Sequence, residues 1–532
     1  MGRTGGELLT AQLRAEGVEV VFGLPGIQLM RFLDALHGEP AIRFVTTRHE
    51  QATTFMADGY ARVSGRPGTA LVVPGPGVYN AGAGLATAYA CSSPVLLLAG
   101  QIEQHGLGRG LSLTHEIDDQ LDVVRPVTKW AHRVLSADDI PAAVRRAFAT
   151  MLEGRTRPVE LEMPPEVFAA DTDSEVIPPE PVPVHEPDPE LVATAADLLA
   201  AADEPLIVAG GGAVLAGATA ELTGVAEALQ AAVVNTREGK GAIDERHPLF
   251  VGTAWVNRRL RPVLAAADVI LAVGTRYQGV GLAEGQRLIH ADVDPAEIGK
   301  HAEPTLAVTG DARVFLARLR EELDRRLPAG GRPDRTAERR AAKRAIDDDL
   351  AGVGPQAEMV RALRRAVPED GVLVAGTTTV GYMCHLAYPV YGPRTYITSS
   401  YMGTLGYCYP TALGAKLARP DLPVVSINGD GGFLFTSAEL ATAMQSGINV
   451  VAVVFNDSAY GNTHRDQMDN FGGRVIGTEL HNPDFAAYAE SFGAVGVRVP
   501  TVDQLEGAIR EGLADDRPVV IELPMDRLPS IF

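Results

Sequence analysis

The sequence predicts an α/β protein built as three doubly wound parallel-sheet domains. Short continuous apolar runs alternate with longer Ala- and Leu-rich segments of helical period, and such runs belong to strands covered by helices on both faces. The chain has 532 residues, enough for about three domains of roughly 150 residues each.

The runs in the first third are 69–74 (TALVVP) and 94–100 (PVLLLAG). In the middle lie 205–210 (PLIVAG) and 269–274 (VILAVG), and in the last third 371–376 (GVLVAG), 423–429 (PVVSING) and 449–455 (NVVAVVF). Glycine or proline at most of their ends marks where each strand turns into its connection. Two segments break the alternation. Residues 168–190 are rich in proline and acid and read as an extended linker with nothing to pack. Residues 324–349 open with Pro and Gly and continue as a charged helical run, a second linker and a surface helix. The expected domains are therefore 1–167, 190–323 and 352–532.

Asp and Glu number 67 against 47 Lys and Arg, for a net charge of −20. That balance argues against nucleic acid, which needs a basic face, and against an anionic membrane surface. No stretch approaches the roughly 18 apolar residues of a membrane span, and residues 1–17 are polar and amphipathic. A soluble, cytoplasmic protein is expected. Cys91, Cys384 and Cys408 are too few for a disulfide framework and read as small buried residues.

The strongest chemical signal is 426–433 (SINGDGGF). Here a strand ends in Gly429, Asp430, Gly431 and Gly432, so the backbone can approach a ligand closely while Asp430 offers a hard oxygen. About 27 residues later a second strand ends at Asn456, Asp457, Ser458 and Ala459. Adjacent parallel strands would bring Asp430 and Asp457 together at their carboxyl ends, where α/β sheets bind ligands. Two carboxylates beside phosphate oxygens suit Mg²⁺. Thr436 and Glu439 have the spacing of a capping box opening the next helix.

This pair of strand ends resembles the diphosphate–metal motif of thiamin diphosphate (ThDP) enzymes. Three further segments resemble the acetolactate-synthase and benzaldehyde-lyase branch: 47–52 (TRHEQA) leading to 57–62 (ADGYAR), 403–406 (GTLG) leading to Pro410, and 292–300 (DVDPAEIGK). The resemblance spans nearly the whole chain. It implies a pyrimidine-binding first domain, a middle domain and a diphosphate-binding third domain. Under it Glu50 matches the glutamate that hydrogen-bonds the aminopyrimidine ring. Gly403 matches the residue whose carbonyl accepts from the 4′-amino group, and Leu405 the apolar wedge that holds the cofactor bent. The metal ligands would be Asp430, Asp457 and the Ala459 carbonyl. Val380 and Gly381 match the start of the diphosphate cradle, although Tyr382 and Met383 depart from the usual polar pair. Because Glu50 and the GDG motif belong to facing domains, a homodimer or homotetramer is implied.

Departures bear on the substrate. The middle domain carries a Gly-rich turn at Gly210, Gly211 and Gly212, a weak nucleotide signal on its own. Gln278, Gly279 and Val280 stand where the acetolactate synthases carry aspartates and an arginine, so FAD is not expected. His115, Glu116 and His464 are the candidates to face the reacting carbon, since a histidine can hold or release a proton near neutral pH. His49 reads as structural. The sequence therefore points to a ThDP- and Mg²⁺-dependent lyase or carboligase acting on 2-keto acids or 2-hydroxyketones. Two rivals are a 2-hydroxyacyl-CoA lyase or oxalyl-CoA decarboxylase, with Arg237, Lys240, Arg258, Arg259 and Arg261 near phosphates, and a non-catalytic ThDP-binding module.

Overall fold

The computed structural model describes residues 2–531. Three six-stranded sheets, all of parallel pairs, follow one another along the chain. The first contains β1 (Val20–Gly23), β2 (Arg43–Thr46), β3 (Gly68–Val72), β4 (Val95–Gly100), β5 (Trp130–Arg133) and β6 (Val159–Met163), in the order β2-β1-β3-β4-β6-β5. The second contains β7 (Pro205–Ala209), β8 (Ala232–Asn235), β9 (Phe250–Thr253), β10 (Val269–Val273), β11 (Arg287–Asp292) and β12 (Leu306–Thr309), in the order β9-β8-β7-β10-β11-β12. The third contains β13 (Val372–Ala375), β14 (Tyr396–Thr398), β15 (Val424–Gly429), β16 (Val451–Asn456), β17 (Val495–Arg498) and β18 (Val519–Pro524), in the order β14-β13-β15-β16-β18-β17. The first and third sheets thus share one strand order, and the middle sheet has another. All seven apolar runs are strands, and the α/β class is as expected.

Both linker expectations need correction at their edges. Phe168 is buried and stacks on Phe32 at 5.8 Å, and Asp171–Thr172 pairs antiparallel with Arg3–Thr4. The apolar Phe168 anchors what its proline-rich neighbours would leave free. The helix Thr336–Ala351 is likewise not all surface. Its Ile346 and Leu350 are buried and its Arg339 is paired with Glu204 at 2.9 Å.

The first and third sheets are joined where the helix Glu50–Ser64 crosses the helix Cys408–Ala418. A Cβ on Gly59 would stand 2.0 Å from the Thr411 carbonyl oxygen, and one on Gly414 would stand 1.9 Å from that of Met56. The crossing is therefore backbone on backbone, which only glycine permits. At the far end of the first helix, Arg62 reaches the middle domain. It pairs with Glu238 at 2.9 Å and donates to the Thr398 carbonyl and to the Tyr407 hydroxyl. No described helix is long and apolar enough to cross a membrane.

In β6, Glu160 and Glu162 point to the same face and are both fully buried. Glu162 is held by Arg133, Gln101 and Gln120, whereas among the described residues no side chain donates to either oxygen of Glu160. Burial first, and the Glu162 and Asp119 charges after it, push the Glu160 carboxyl well above its usual range against the pull of Arg133. The folded protein then keeps this proton to higher pH than the unfolded chain, so stability falls as pH rises above the ordinary glutamate range. Glu160→Gln keeps the size and removes the titration. Its melting temperature should exceed the parent's at pH 8, with the gap narrowing toward pH 5. A gap independent of pH would contradict the assignment.

Candidate active site

The carboxyl edge of the third sheet assembles the acidic pair. Gly429 in β15 is in register with Phe455 in β16, so Asp430 and Asp457 leave neighbouring strands at almost the same level. Asp430 is buried, and its Oδ2 accepts from Asn482 Nδ2 at 2.6 Å, which also donates to Asn456 Oδ1 at 2.9 Å. Burial raises the Asp430 carboxyl, opposed by the Gly431 amide and Asn482. Burial and then the Asp430 charge push Asp457 up to about 6. Two carboxylates crowded in a half-dry edge create a negative field that a cation would relieve. Glycine lets the edge close. A Cβ on Gly431 would strike the Tyr460 ring at 2.5 Å, and one on Gly461 would strike Asp457 Oδ2 at 2.5 Å. Ala459 is buried in an isolated bridge to Glu479, and its carbonyl accepts no hydrogen bond among the described residues. No group of three or more His, Cys, Asp or Glu is arranged to hold a metal among the described residues. Asp430 and Asp457 offer oxygen atoms alone, donors of the kind a hard cation takes together with water and phosphate.

Beside the pair, the helix Thr379–Ala387 begins at the end of β13, with Val380 and Gly381 in its first turn. A Cβ on Gly381 would lie 2.0 Å from the Gly376 carbonyl oxygen, so this helix sits on the strand end only because of glycine. Gly403 takes φ +61° with open space beside it, and Leu405 Cδ2 lies 4.0 Å from a Cβ built on Gly432. Gly376, Thr377 and Gly403 line a cavity of about 380 Å³ together with Arg237, Trp255, Tyr382, His385 and Asn462.

Glu50 opens the helix that follows β2 and is buried, with Asn80 Nδ2 donating to its Oε2 at 2.9 Å. The residues before it are clamped by Glu439. Its carboxylate accepts from the Arg48 amide at 3.0 and 3.1 Å and from the His49 amide at 3.0 Å. The capping box expected at 436–439 is therefore absent. Glu439 serves the first domain, Thr436 Oγ1 donates to the Gly406 carbonyl at 2.8 Å, and a 3-10 turn, Ser437–Glu439, precedes the helix. Tertiary partners have displaced the local cap. His49 accepts the Gln51 amide at 3.2 Å through Nδ1, a capping role. Glu50 does not line the cavity that holds Gly403.

The three candidates for the reacting carbon are scattered. His115 is half-buried at φ +72°, with Nδ1 buried and unpartnered among the described residues. Glu116 accepts the Leu113 amide at 2.8 Å and the Leu111 amide at 3.2 Å, and these bonds hold its carboxyl below the usual range. His464 is buried, with Nε2 accepting from Arg527 Nη1 at 2.6 Å. None of the three lines the Gly403 cavity. Of the basic residues read as phosphate ligands, Lys240 is instead buried in a pair with Glu245 at 2.8 Å. The Gly-rich turn of the middle domain opens onto an adjoining cavity of about 340 Å³ that includes Gly211, Gly212, Gly274 and Gln278 and shares Arg237, Trp255, Ser400 and Tyr401 with the Gly403 cavity, while Val280 packs against the apolar core.

The chain matches three domain models of one family. They are the N-terminal TPP binding domain of the thiamine pyrophosphate enzymes over residues 3–124, the central domain over 192–319 and the C-terminal TPP binding domain over 375–523. The chain belongs to the thiamine pyrophosphate (ThDP) enzyme family. Among its relatives is a protein of Methanocaldococcus jannaschii named a probable acetolactate synthase large subunit, 34% identical over 99% of this chain and 93% of its own length. A probable 2-ketoarginine decarboxylase of Pseudomonas aeruginosa is 35% identical over 98% of this chain and 94% of its own. The acetolactate synthase isozyme 3 large subunit of Escherichia coli is 31% identical over 99% and 96%. This ThDP enzyme is thus of the acetolactate-synthase-like branch, a decarboxylase or carboligase, and neither the CoA-lyase nor the non-catalytic reading is favoured.

Asn80 and Asn482 escaped the sequence reading, and Glu439 was read only as a local cap, because each acts through a contact made at a distance along the chain. Glu439 supports a falsifiable expectation for this ThDP enzyme. Glu439→Gln would set an amide N–H against the Arg48 or His49 amide in a buried site, at a cost of about 1–3 kcal/mol. Denaturant unfolding should register that loss, and a change below roughly 0.5 kcal/mol would mean that the clamp is unimportant.

Proposed function

We propose that the protein is a ThDP- and Mg²⁺-dependent lyase or carboligase whose substrates are 2-keto acids or 2-hydroxyketones. The observation that carries the reading is the pairing of Asp430 and Asp457 at neighbouring strand ends, beside a helix start that glycine draws against the sheet. Asp430, Asp457 and the Ala459 carbonyl would hold Mg²⁺. The backbone at Gly429, Gly431 and Gly432 and the helix start at Val380 and Gly381 would receive the diphosphate, since unpaired amides at a helix start favour anions. The Gly403 carbonyl would accept from the 4′-amino group, Leu405 would support the ring junction, and Glu50 would share a proton with the pyrimidine nitrogen. When bound, ThDP supplies the carbon nucleophile and electron sink for breaking or forming a C–C bond. The names of the relatives, acetolactate synthases and a 2-ketoarginine decarboxylase, favour 2-keto acids.

Two copies would complete each site. Glu50 stands apart from the Gly403 cavity, and the apolar side chains of Ile27, Met30, Tyr79 and Phe435 are exposed although core-like residues of this size usually seek cover. Asn80, the partner of Glu50, directly follows Tyr79, and Gln51 donates to the Phe435 carbonyl at 3.1 Å, so this surface flanks Glu50. His115 and Glu116 would act from a loop that such a partner orders. His464, whose Nε2 accepts from Arg527 Nη1, would position rather than transfer.

Mass spectrometry of products from a panel of 2-keto acids, with and without added aldehydes, tests the reading. The parent should release CO₂ and form ligation products only with ThDP and Mg²⁺ present, and EDTA should release the ThDP. Glu50→Gln should retain ThDP while hydrogen–deuterium exchange at its thiazolium C2 slows on the order of 100-fold or more. Turnover without ThDP, or exchange at the parent's rate in Glu50→Gln, would overturn it.

A further inference from the structure

The cavity that holds Gly376, Thr377 and Gly403 has a second wall, built by the middle domain from Arg237 and Trp255. Trp255 packs at 5.6 Å from the Tyr382 ring and edge-on to His385 at 4.8 Å. His385 Nδ1 is 2.6 Å from the Tyr396 hydroxyl, and burial, with Arg237 and Lys240 nearby, holds its imidazole well below the usual range and therefore neutral. No Asp or Glu lines the cavity, and among the described residues Arg237 is its one permanently charged group.

The Arg237 guanidinium lies 5.6 Å from the centre of the Trp255 ring. Only its Nε is engaged, at 3.2 Å from Glu238 Oε1, while Nη1 and Nη2 make no hydrogen bond among the described residues. The side chain is 16% exposed, so these are unspent donors in a largely dry setting. Glu238 does not depend on them, because Arg62 pairs with it at 2.9 Å and the Thr398 hydroxyl donates to it. The neighbouring Lys240 is already neutralised by Glu245. A fork with Nη1 and Nη2 free over an aromatic plane, its one neighbouring acid Glu238 sitting at Nε and also held by Arg62 and Thr398, is the arrangement that takes a carboxylate in two parallel hydrogen bonds.

We infer that Arg237 is the substrate-recognising residue of this cavity and binds the carboxylate of the 2-keto acid, while Trp255 and Tyr382 pack against its organic body. The inference rests on the function proposed above, since it takes this cavity as the place of reaction. It implies that acids are preferred over aldehydes or amides of the same shape.

Binding of unreactive probes tests this without turnover. In the ThDP- and Mg²⁺-loaded protein carrying Trp130→Phe, a change in the edge strand β5, the remaining tryptophan fluorescence reports on Trp255. Phenylacetate should bind at least about tenfold more tightly than phenylacetamide. Arg237→Gln should erase that preference by weakening phenylacetate alone, and Arg237→Lys, which keeps the charge but not the fork, should restore part of it. In turnover, Arg237→Gln should raise KM for 2-keto acids about tenfold or more with kcat much less affected. Equal affinity of the parent for both probes, or a preference that survives in Arg237→Gln, would overturn the inference. A carboxylate preference that depends on Arg237 in a protein that turns over no 2-keto acid would support Arg237 as an anion site and overturn the proposed function instead.

Discussion

The contact on which the rest depends is the crossing of the helices Glu50–Ser64 and Cys408–Ala418. Gly59 and Gly414 bring the two backbones together with no side chain between them, and helices that approach so closely cannot slide without collision. One end of the first helix is fixed by Glu439 through the Arg48 and His49 amides, which sets the orientation of Glu50. The other end is fixed by Arg62, whose guanidinium is shared between Glu238 of the middle domain and the Thr398 carbonyl of β14. The position of Glu50 and the join between all three sheets are thus consequences of one packed element.

The first and third sheets have the same strand order. In each, the order reverses between the first and third strands of the sheet, and ligands of open α/β sheets bind at the carboxyl end of such a reversal. In the third sheet that edge holds Gly376 and Asp430. In the first it holds the turn at Gly75, where the helix carrying Asn80 begins. The middle sheet reverses between β7 and β10, where its own cavity opens beside Gly211 and Gly274. Repetition of one binding edge explains how a single molecule could be gripped by its two ends, and why the middle domain can contribute a wall, through Arg237 and Trp255, without gripping it.

The strands legible in the sequence are apolar runs covered on both faces. Several of the others lie at sheet edges, such as Trp130–Arg133 and Val495–Arg498. Val159–Met163, Arg287–Asp292 and Val519–Pro524 are interior and buried, but Glu160, Glu162, His290, Asp292 and Glu522 interrupt their apolar runs. The acidic pair was legible because its two members each end an apolar run, so position along the strand stood in for position in space. Asn482 was not, and Glu439 and Arg237 were legible only in other roles, a local cap and a phosphate ligand. Asn482 lies 52 residues beyond Asp430, and Glu439 lies 391 beyond Arg48. No local pattern announces contacts of that kind. The false capping box at Thr436 and Glu439 has the same origin. Its spacing is right for a local cap, but a buried carboxylate gains more by satisfying two amides of another domain. Glu116 likewise reads as an acid poised for chemistry until its loop folds back and spends it on the Leu111 and Leu113 amides.

In the proposed dimer Glu50 of one copy serves the Asp430–Asp457 edge of another. Co-expression of two inactive variants, Glu50→Gln and Asp430→Asn, tests it directly, because each mixed dimer would contain one site free of both changes. The co-expressed material should recover about a quarter of the parent's activity, as random pairing of equal amounts requires. Activity no higher than that of either variant alone, in material shown to contain mixed dimers, would contradict it and put Glu50 in the site of its own chain.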